Sequence, residues 1–259
     1  MQTCWVFDID GVITDLATKK PNEEVLVRIT KLLEKDIACF NTGRSFAWLQ
    51  ENLVSRLKNM ASPAHLSNVF FAFEQGGGWG SFINGAQKEE YEENLLISNE
   101  LMENVKNILQ KTKTMFLDDT KKTMMSIEMK DGTDIKEFTR EREEIMPQLE
   151  QLVDRINPQL KITPGAIAID VMNQFEGKNL GMLRLLEFFE REKITPEKCV
   201  CFGDSPADLE MADELFLAKI PVEFVFVGER EIEPDNLYPV YKTESKYYLG
   251  TLEFLKATD

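Results

Sequence analysis

An α/β fold, with a parallel sheet interrupted by a mixed α+β segment, is what the sequence predicts on three observations. Short apolar runs rich in Val, Ile, Phe and Cys alternate with stretches whose apolar residues recur at helical spacing. The alternation stops near residue 82, where strands come in pairs, and resumes near 173. The apolar runs of the alternating part end in acid, threonine or glycine, as strands buried on both faces do when they run out at a polar edge.

The elements follow in order. "TCWVFDID" reads as a strand closed by acids and Gly11. "NEEVLVRITKLLEKD" carries Val25, Leu26, Ile29, Leu32 and Leu33 at helical spacing, with Asn22 placed to cap it. "IACFNTG" is a second strand, "RSFAWLQENLVSRLKN" a second helix with Phe46, Leu49, Leu53 and Leu57 on one face, and "NVFFAF" a third strand. After the glycine-rich "EQGGGWG" come an acidic stretch, a helix around 100–111, two strands in "MFLDDTKKTMMSIEMKDG", a long charged helix in "IKEFTREREEIMPQLEQLVDRI", and two strands in "LKITPGAIAIDVM". The alternation then returns with helix "GKNLGMLRLLEFFERE", strand "KCVCFGD", short helix "PADLEMADEL", strand "VEFVFVG" and a closing helix "YYLGTLEFLK". The expected division is a core of 1–81 and 173–259 and an inserted α+β domain of 82–172.

Composition narrows the function. At 259 residues, 43% hydrophobic and 29% charged, the chain is that of an ordinary globular protein, and no apolar run approaches the roughly 20 residues of a membrane span. No basic leader with a small-residue cleavage site opens it, so a secretory signal is not expected. A net charge of −15 argues against nucleic acid and anionic membrane as partners. It also means that an anionic substrate needs a metal ion or local cations at the site. A single histidine, His65, leaves little room for a Ser-His-Asp device or a multi-histidine zinc site. Cys4, Cys39, Cys199 and Cys201 all lie in strand-like runs. Core packing is their expected role, with metal binding by Cys199 and Cys201 the alternative, and the expected location is a reducing cytoplasm.

Three strand ends of the alternating part carry chemistry: Asp8 and Asp10 after "WVF", Thr42, Gly43 and Arg44 after "IACFN", and Asp204, Ser205 and Asp208 after "CVCFG". Ligand sites in open α/β sheets gather outside the carboxyl ends of the strands. Lys178 opens the helix after the insertion and adds a positive charge.

In order and setting, these residues resemble the haloacid dehalogenase-like phosphohydrolase superfamily. Asp8-Ile9-Asp10-Gly11 matches its Asp-x-Asp-Gly, Thr42 its strand-ending hydroxyl, Lys178 its lysine, and Gly203-Asp204 with Asp208 its last acidic motif. The resemblance implies a Rossmann-like parallel core with an α+β cap between the second and third motifs, as in the subfamily (IIB) holding phosphatases of sucrose phosphate, trehalose phosphate and mannosyl-phosphoglycerate. "FEQGGGW" departs from the Asn-Gly-Ala usual at the cap entrance.

By the same resemblance Asp8 is the nucleophile and Asp10 the general acid and base. Mg2+ is the cofactor, held by Asp8, by Asp10 through its carbonyl, and by Asp204; Asp208 is either a ligand or an acid behind the ligands. Thr42, Gly43 and Lys178 hold the phosphoryl oxygens. Arg44 is a candidate substrate contact, or else a surface residue at a helix start. Ser205 is expected to cap a helix. The implied activity is hydrolysis of a small phosphorylated metabolite, a sugar phosphate. A phosphosugar mutase would share every core residue. A receiver-type signalling domain, a metal-nucleotide glycosyltransferase and a silent phosphate-binding protein fit the length and the four motifs less well.

Overall fold

The structure, a computed structural model, describes residues 2–83, 85–232 and 237–258. Its elements are β1 (Thr3–Phe7), α1 (Glu23–Leu32), β2 (Ile37–Asn41), α2 (Phe46–Leu49), α3 (Ser55–Met60), α4 (Pro63–Leu66), β3 (Val69–Phe73), β4 (Gly78–Ile83) and β5 (Ala86–Tyr91). Then come α5 (Asn99–Leu109), β6 (Met115–Asp118), β7 (Met125–Met129), α6 (Ile135–Ile156), β8 (Leu160–Pro164) and β9 (Ala168–Asn173). The chain closes with α7 (Lys178–Glu192), β10 (Lys198–Gly203), α8 (Leu209–Leu217), β11 (Val222–Phe226), β12 (Val240–Lys242) and α9 (Tyr248–Ala257).

The chain divides into two compact units, residues 1–90 with 177–259, and residues 91–176. The first is built on an eight-stranded sheet in the order β12-β11-β10-β1-β2-β3-β4-β5. Pairing is parallel from β12 to β3 and turns antiparallel at β3–β4. Because β4 and β5 extend this sheet, the first unit reaches past residue 81. Glycine-rich "GGGWGSF" shows no alternation of apolar and polar residues, so its strand is hard to read from sequence.

Register brings the site together. Phe7 lies opposite both Phe40 and Phe202, so β1, β2 and β10 end level with one another. The three rings stack, with centroids 5.9 and 4.9 Å apart. The strands alternate faces. Cys4, Val6, Cys39, Phe70, Cys199 and Cys201 therefore turn to the opposite side, where they pack with Met182, Leu185, Met211 and Leu215 of α7 and α8. All four cysteines are free thiols filling this layer.

Local sequence explains the helix starts. Asn22 Oδ1 accepts from the Glu24 and Val25 N–H groups at 3.0 and 3.2 Å, and Val25, Leu26 and Ile29 are the buried stripe of α1. The segment expected as one helix after Arg44 is α2 and α3 joined by a π-turn over Gln50–Val54. The second unit has an antiparallel sheet in the order β6-β7-β9-β8. Met125, Ile127, Ile169 and Val171 on one face pack against Leu101, Val105, Phe138 and Leu149 of α5 and α6. Glu141 of α6 accepts from the Lys113 and Thr114 N–H groups and the Thr114 hydroxyl, at 2.6 to 3.2 Å, and so fastens the helix to the start of β6.

Candidate active site

Asp8 is the first residue beyond β1. Its N–H still donates to Phe202 O at 3.1 Å, which keeps the carboxylate at the end of the sheet, 7% exposed. The chain then turns at Gly11, whose φ is 77°. A side chain there would be strained, and its Cβ would stand 2.6 Å from Asp204 Oδ2. The Thr14 hydroxyl closes the turn, accepting from the Gly11 N–H and donating to Ile9 O, both at 3.1 Å.

Lys178, the first residue of α7, points its ammonium at Asp8 Oδ1, donates to Asn41 O at 2.7 Å, and stands 3.4 Å from Asp208 Oδ1. Asn41 returns a bond from Nδ2 to Lys178 O at 2.7 Å. The end of β2 and the start of α7 are thus tied in both directions. A side chain at Gly181, one turn along α7, would run into the Asn41 carboxamide. Sequence reasoning places Lys178 by motif order; its exchange with Asn41, 137 positions away, carries no local signal.

After β10, Asp208 Oδ2 accepts from Asp204 N–H, Ser205 N–H and Ser205 Oγ, at 3.1, 3.0 and 2.8 Å. Ser205 and Asp208 form a reciprocal cap on the turn before α8. One oxygen of Asp208 is therefore occupied in shaping the loop, and the other faces Lys178. Carboxylate oxygens of Asp8, Asp204 and Asp208 lie within 4.8 Å of one another.

Crowding shifts these groups. Burial pushes the Asp8 carboxyl up to about 8; Lys178 opposes the rise, and the Asp208 and Asp10 charges add to it. Burial, then Asp208, pushes Asp204 up to about 6. For Lys178, burial works against the charge, but the attraction of Asp8 and Asp208 outweighs it and holds the side chain as ammonium. Burial and mutual repulsion work against the ionised forms of these acids, and a cation among them would favour those forms. Hard oxygen donors at this spacing fit a hard divalent cation such as Mg2+.

Thr42 is fully buried, its N–H on Ala72 O at 3.0 Å and its hydroxyl accepting from the Arg44 N–H at 3.1 Å. Arg44 is turned toward Asp10. Nε and Nη2 meet the two carboxylate oxygens at 2.9 and 2.7 Å, and the guanidinium lies 5.0 Å from the Trp48 ring centre. The Asp10 carboxylate stands outside the three-acid cluster and is oriented by this fork. Trp79, in the glycine-rich stretch, is covered by the Arg184 guanidinium at 4.2 Å.

Two residues at the site escape sequence reasoning. Tyr247, with φ of 58°, sets its ring edge where a side chain at Gly11 would meet it at 3.3 Å. Gln75, with φ of 55°, places its carboxamide against Gly43. Tyr247 belongs to no motif, and Gln75 lies in "FEQGGGW", whose residues give no sign of a contact with Gly43; each arrives through chain distant from the strand end it touches.

The sequence model of the family described as haloacid dehalogenase-like hydrolase matches residues 88–215, which include Lys178, Asp204 and Asp208. A comparison with curated protein sequences found no match. Among solved structures, the C-terminal domain of the C. albicans trehalose-6-phosphate phosphatase superposes with a TM-score of 0.70 at 17% identity, over 99% of this chain and 91% of that one. A haloacid dehalogenase-like hydrolase from Bacteroides thetaiotaomicron gives 0.65 at 15%, over all of both chains. The sucrose-phosphatase from Synechocystis sp. PCC6803, in complex with sucrose and phosphate, gives 0.55 at 14%, over 99% of this chain and 97% of that one. At such identities the superpositions establish the fold, a Rossmann-like parallel core of the haloacid dehalogenase type carrying an inserted α+β unit. With the sequence match over 88–215, the chain is similar to the haloacid dehalogenase-like hydrolases in fold and in part of its sequence.

Proposed function

We propose that the protein is a Mg2+-dependent phosphatase of a small phosphorylated metabolite, a sugar phosphate, and that it works through an aspartyl-phosphate on Asp8. The observation that carries this is the buried Lys178 ammonium held by Asp8 and Asp208, with Asp204 beside them. A buried lysine between carboxylates offers the field that a transferring phosphoryl group needs. The sugar class rests on likeness to phosphatases named for trehalose-6-phosphate and sucrose phosphate.

In this proposal an Asp8 oxygen attacks phosphorus as the bond to the leaving oxygen breaks, and Asp10 passes a proton to that oxygen. Asp10 then takes a proton from water, whose oxygen attacks phosphorus and frees Asp8. Arg44 orients Asp10 through its two-point contact. Thr42, the Gly43 N–H and Lys178 hold phosphoryl oxygens. Asp8, Asp204 and the Asp10 carbonyl would hold Mg2+, with Asp208 completing the set or backing it. Bound there, the ion would supply positive charge against the phosphoryl oxygens. The unit 91–176 is assigned as the cap that selects the substrate, and the cytoplasm as the location.

The test is phosphate release from p-nitrophenyl phosphate and a panel of sugar phosphates, with Mg2+ or EDTA. Turnover should require Mg2+, be lost in Asp8→Asn, and favour at least one sugar phosphate over the aryl ester. A folded wild type that turns over none of them with Mg2+ present would overturn the proposal.

A further inference from the structure

The turn after β3 sits in an unfavourable conformation beside the site. Glu74 and Gln75 have φ of 51° and 55°, the left-handed region that suits glycine, and Gly76 follows at 84°. Three glycines lie directly behind, yet a glutamine occupies the strained position. Such outliers persist where the surroundings over-determine them, and they cluster at functional sites.

Here the surroundings are the site loops. The Gln75 N–H donates to Thr42 O at 3.1 Å, and its carbonyl accepts from the Gly177 N–H, the residue before Lys178, at 3.0 Å. The Glu74 N–H donates to Arg44 O at 3.0 Å. Gly76 packs on the Leu180–Gly181 backbone so closely that a side chain there would have no room. Gln75 is thus pinned between the Thr42 loop and the start of α7. Its side chain leaves that turn toward Gly43, where Nε2 stands 2.9 Å from the position a Cβ would take. The residue is half-buried, and its carboxamide makes no hydrogen bond among the described residues.

An amide donor on a rigid mount, unspent and lying against the loop expected to bind phosphoryl oxygens, is a recognition group. We infer that Gln75 is a substrate-binding residue whose carboxamide N–H donates to the phosphoryl group held at Thr42 and Gly43. This rests on the phosphatase reading and adds a donor to it. A side chain at position 43 would have to displace this carboxamide.

Two variants test this. Gln75→Gly removes the carboxamide and relaxes the backbone, and Gln75→Glu keeps the shape but offers an anion in place of the donor. The readouts are Tm, KM and kcat for p-nitrophenyl phosphate with Mg2+, and inhibition by inorganic phosphate. For Gln75→Gly the Tm should hold or rise while KM and the phosphate Ki each increase about tenfold, the scale of one hydrogen bond to a charged group. Gln75→Glu should weaken phosphate further. A purely structural role would lower Tm and leave the Ki of the folded enzyme untouched. Unchanged KM and Ki in both variants, with wild-type turnover intact, overturns this inference alone. A wild type that neither hydrolyses the ester nor is bound by phosphate overturns the phosphatase reading and this inference with it.

Discussion

Lys178 and Asp8 show what a buried charge does when its partners are named. The ammonium has Asp8, Asp208 and the Asn41 carbonyl around it. Replacing it with Met keeps the volume but leaves two buried carboxylates facing each other. Breaking a buried pair from one side costs about 3–5 kcal/mol. Lys178→Met should therefore lower the unfolding free energy of the first unit by about that much in urea titration. Under the proposed function, kcat/KM should also fall by a factor on the order of 100 or more. A loss below about 1 kcal/mol would mean that the carboxylates find other partners. Gln75 belongs to the same scale. Its backbone is tied to two segments of the site, the Thr42 loop and the start of α7, while its side chain is left available.

At the scale of elements, α6 and β6 are joined by one carboxylate. Glu141 receives two N–H groups and a hydroxyl, all from Lys113 and Thr114. Burial works against its charge, but the Thr114 hydroxyl and the N–H bonds win, and its pKa is held below the ordinary 4.5. Because the folded value is the lower one, the unfolded chain binds this proton first as pH falls. The stabilisation is fully present above about 4.5 and is lost as pH drops through the folded value. Glu141→Ala should cost about 2 kcal/mol near neutral pH, the scale of stranded N–H donors. In Glu141→Gln the deficit against wild type should shrink between pH 6 and pH 3, followed by thermal melts across that range. A deficit that stays constant would show that the charge plays no part.

Elements also show where sequence is informative. The stripe Val25, Leu26, Ile29 and the cap Asn22 lie within one helix, and each is visible in the spacing. The pairs of strands in the second unit were visible for the same reason. By contrast, β4 contains Gly78 and Gly80, which contribute no side chain to a pattern. It pairs because Phe71 lies opposite Gly80 and Ala72 opposite Trp79. The π-turn between α2 and α3 likewise arises in a segment whose apolar spacing suits an unbroken helix.

At the scale of the whole molecule, the chain carries a net charge of −15, and Asp8, Asp204 and Asp208 cluster beside Lys178. A cation binding there stabilises the folded form by mass action, about 2.7 kcal/mol at a hundredfold excess over Kd. For a chain of this length that raises the Tm by about 5 °C. Wild type should show this shift with Mg2+ against EDTA in differential scanning fluorimetry, and Asp204→Asn should show less than half of it. Equal shifts in both would place the ion elsewhere. Among the described residues no helix is long and apolar enough to cross a membrane.

Along the chain the sequence shows the alternating strands and helices, the paired strands of the insertion, the caps Asn22 and Ser205, and which residues stand at the ends of β1, β2 and β10. These are local properties: apolar period, cap chemistry and the residue that follows a strand are written within ten or so positions. It also determined the order of Asp8, Thr42, Lys178 and Asp204, the residues that carry the resemblance. Tertiary structure alone decided that Phe7, Phe40 and Phe202 lie level, that Arg44 takes Asp10, that Asn41 clasps Lys178, and that Gln75 and Tyr247 reach Gly43 and Gly11. The reason is physical. Each of these contacts joins segments remote along the chain, and the register and packing that bring them together belong to the assembled sheet.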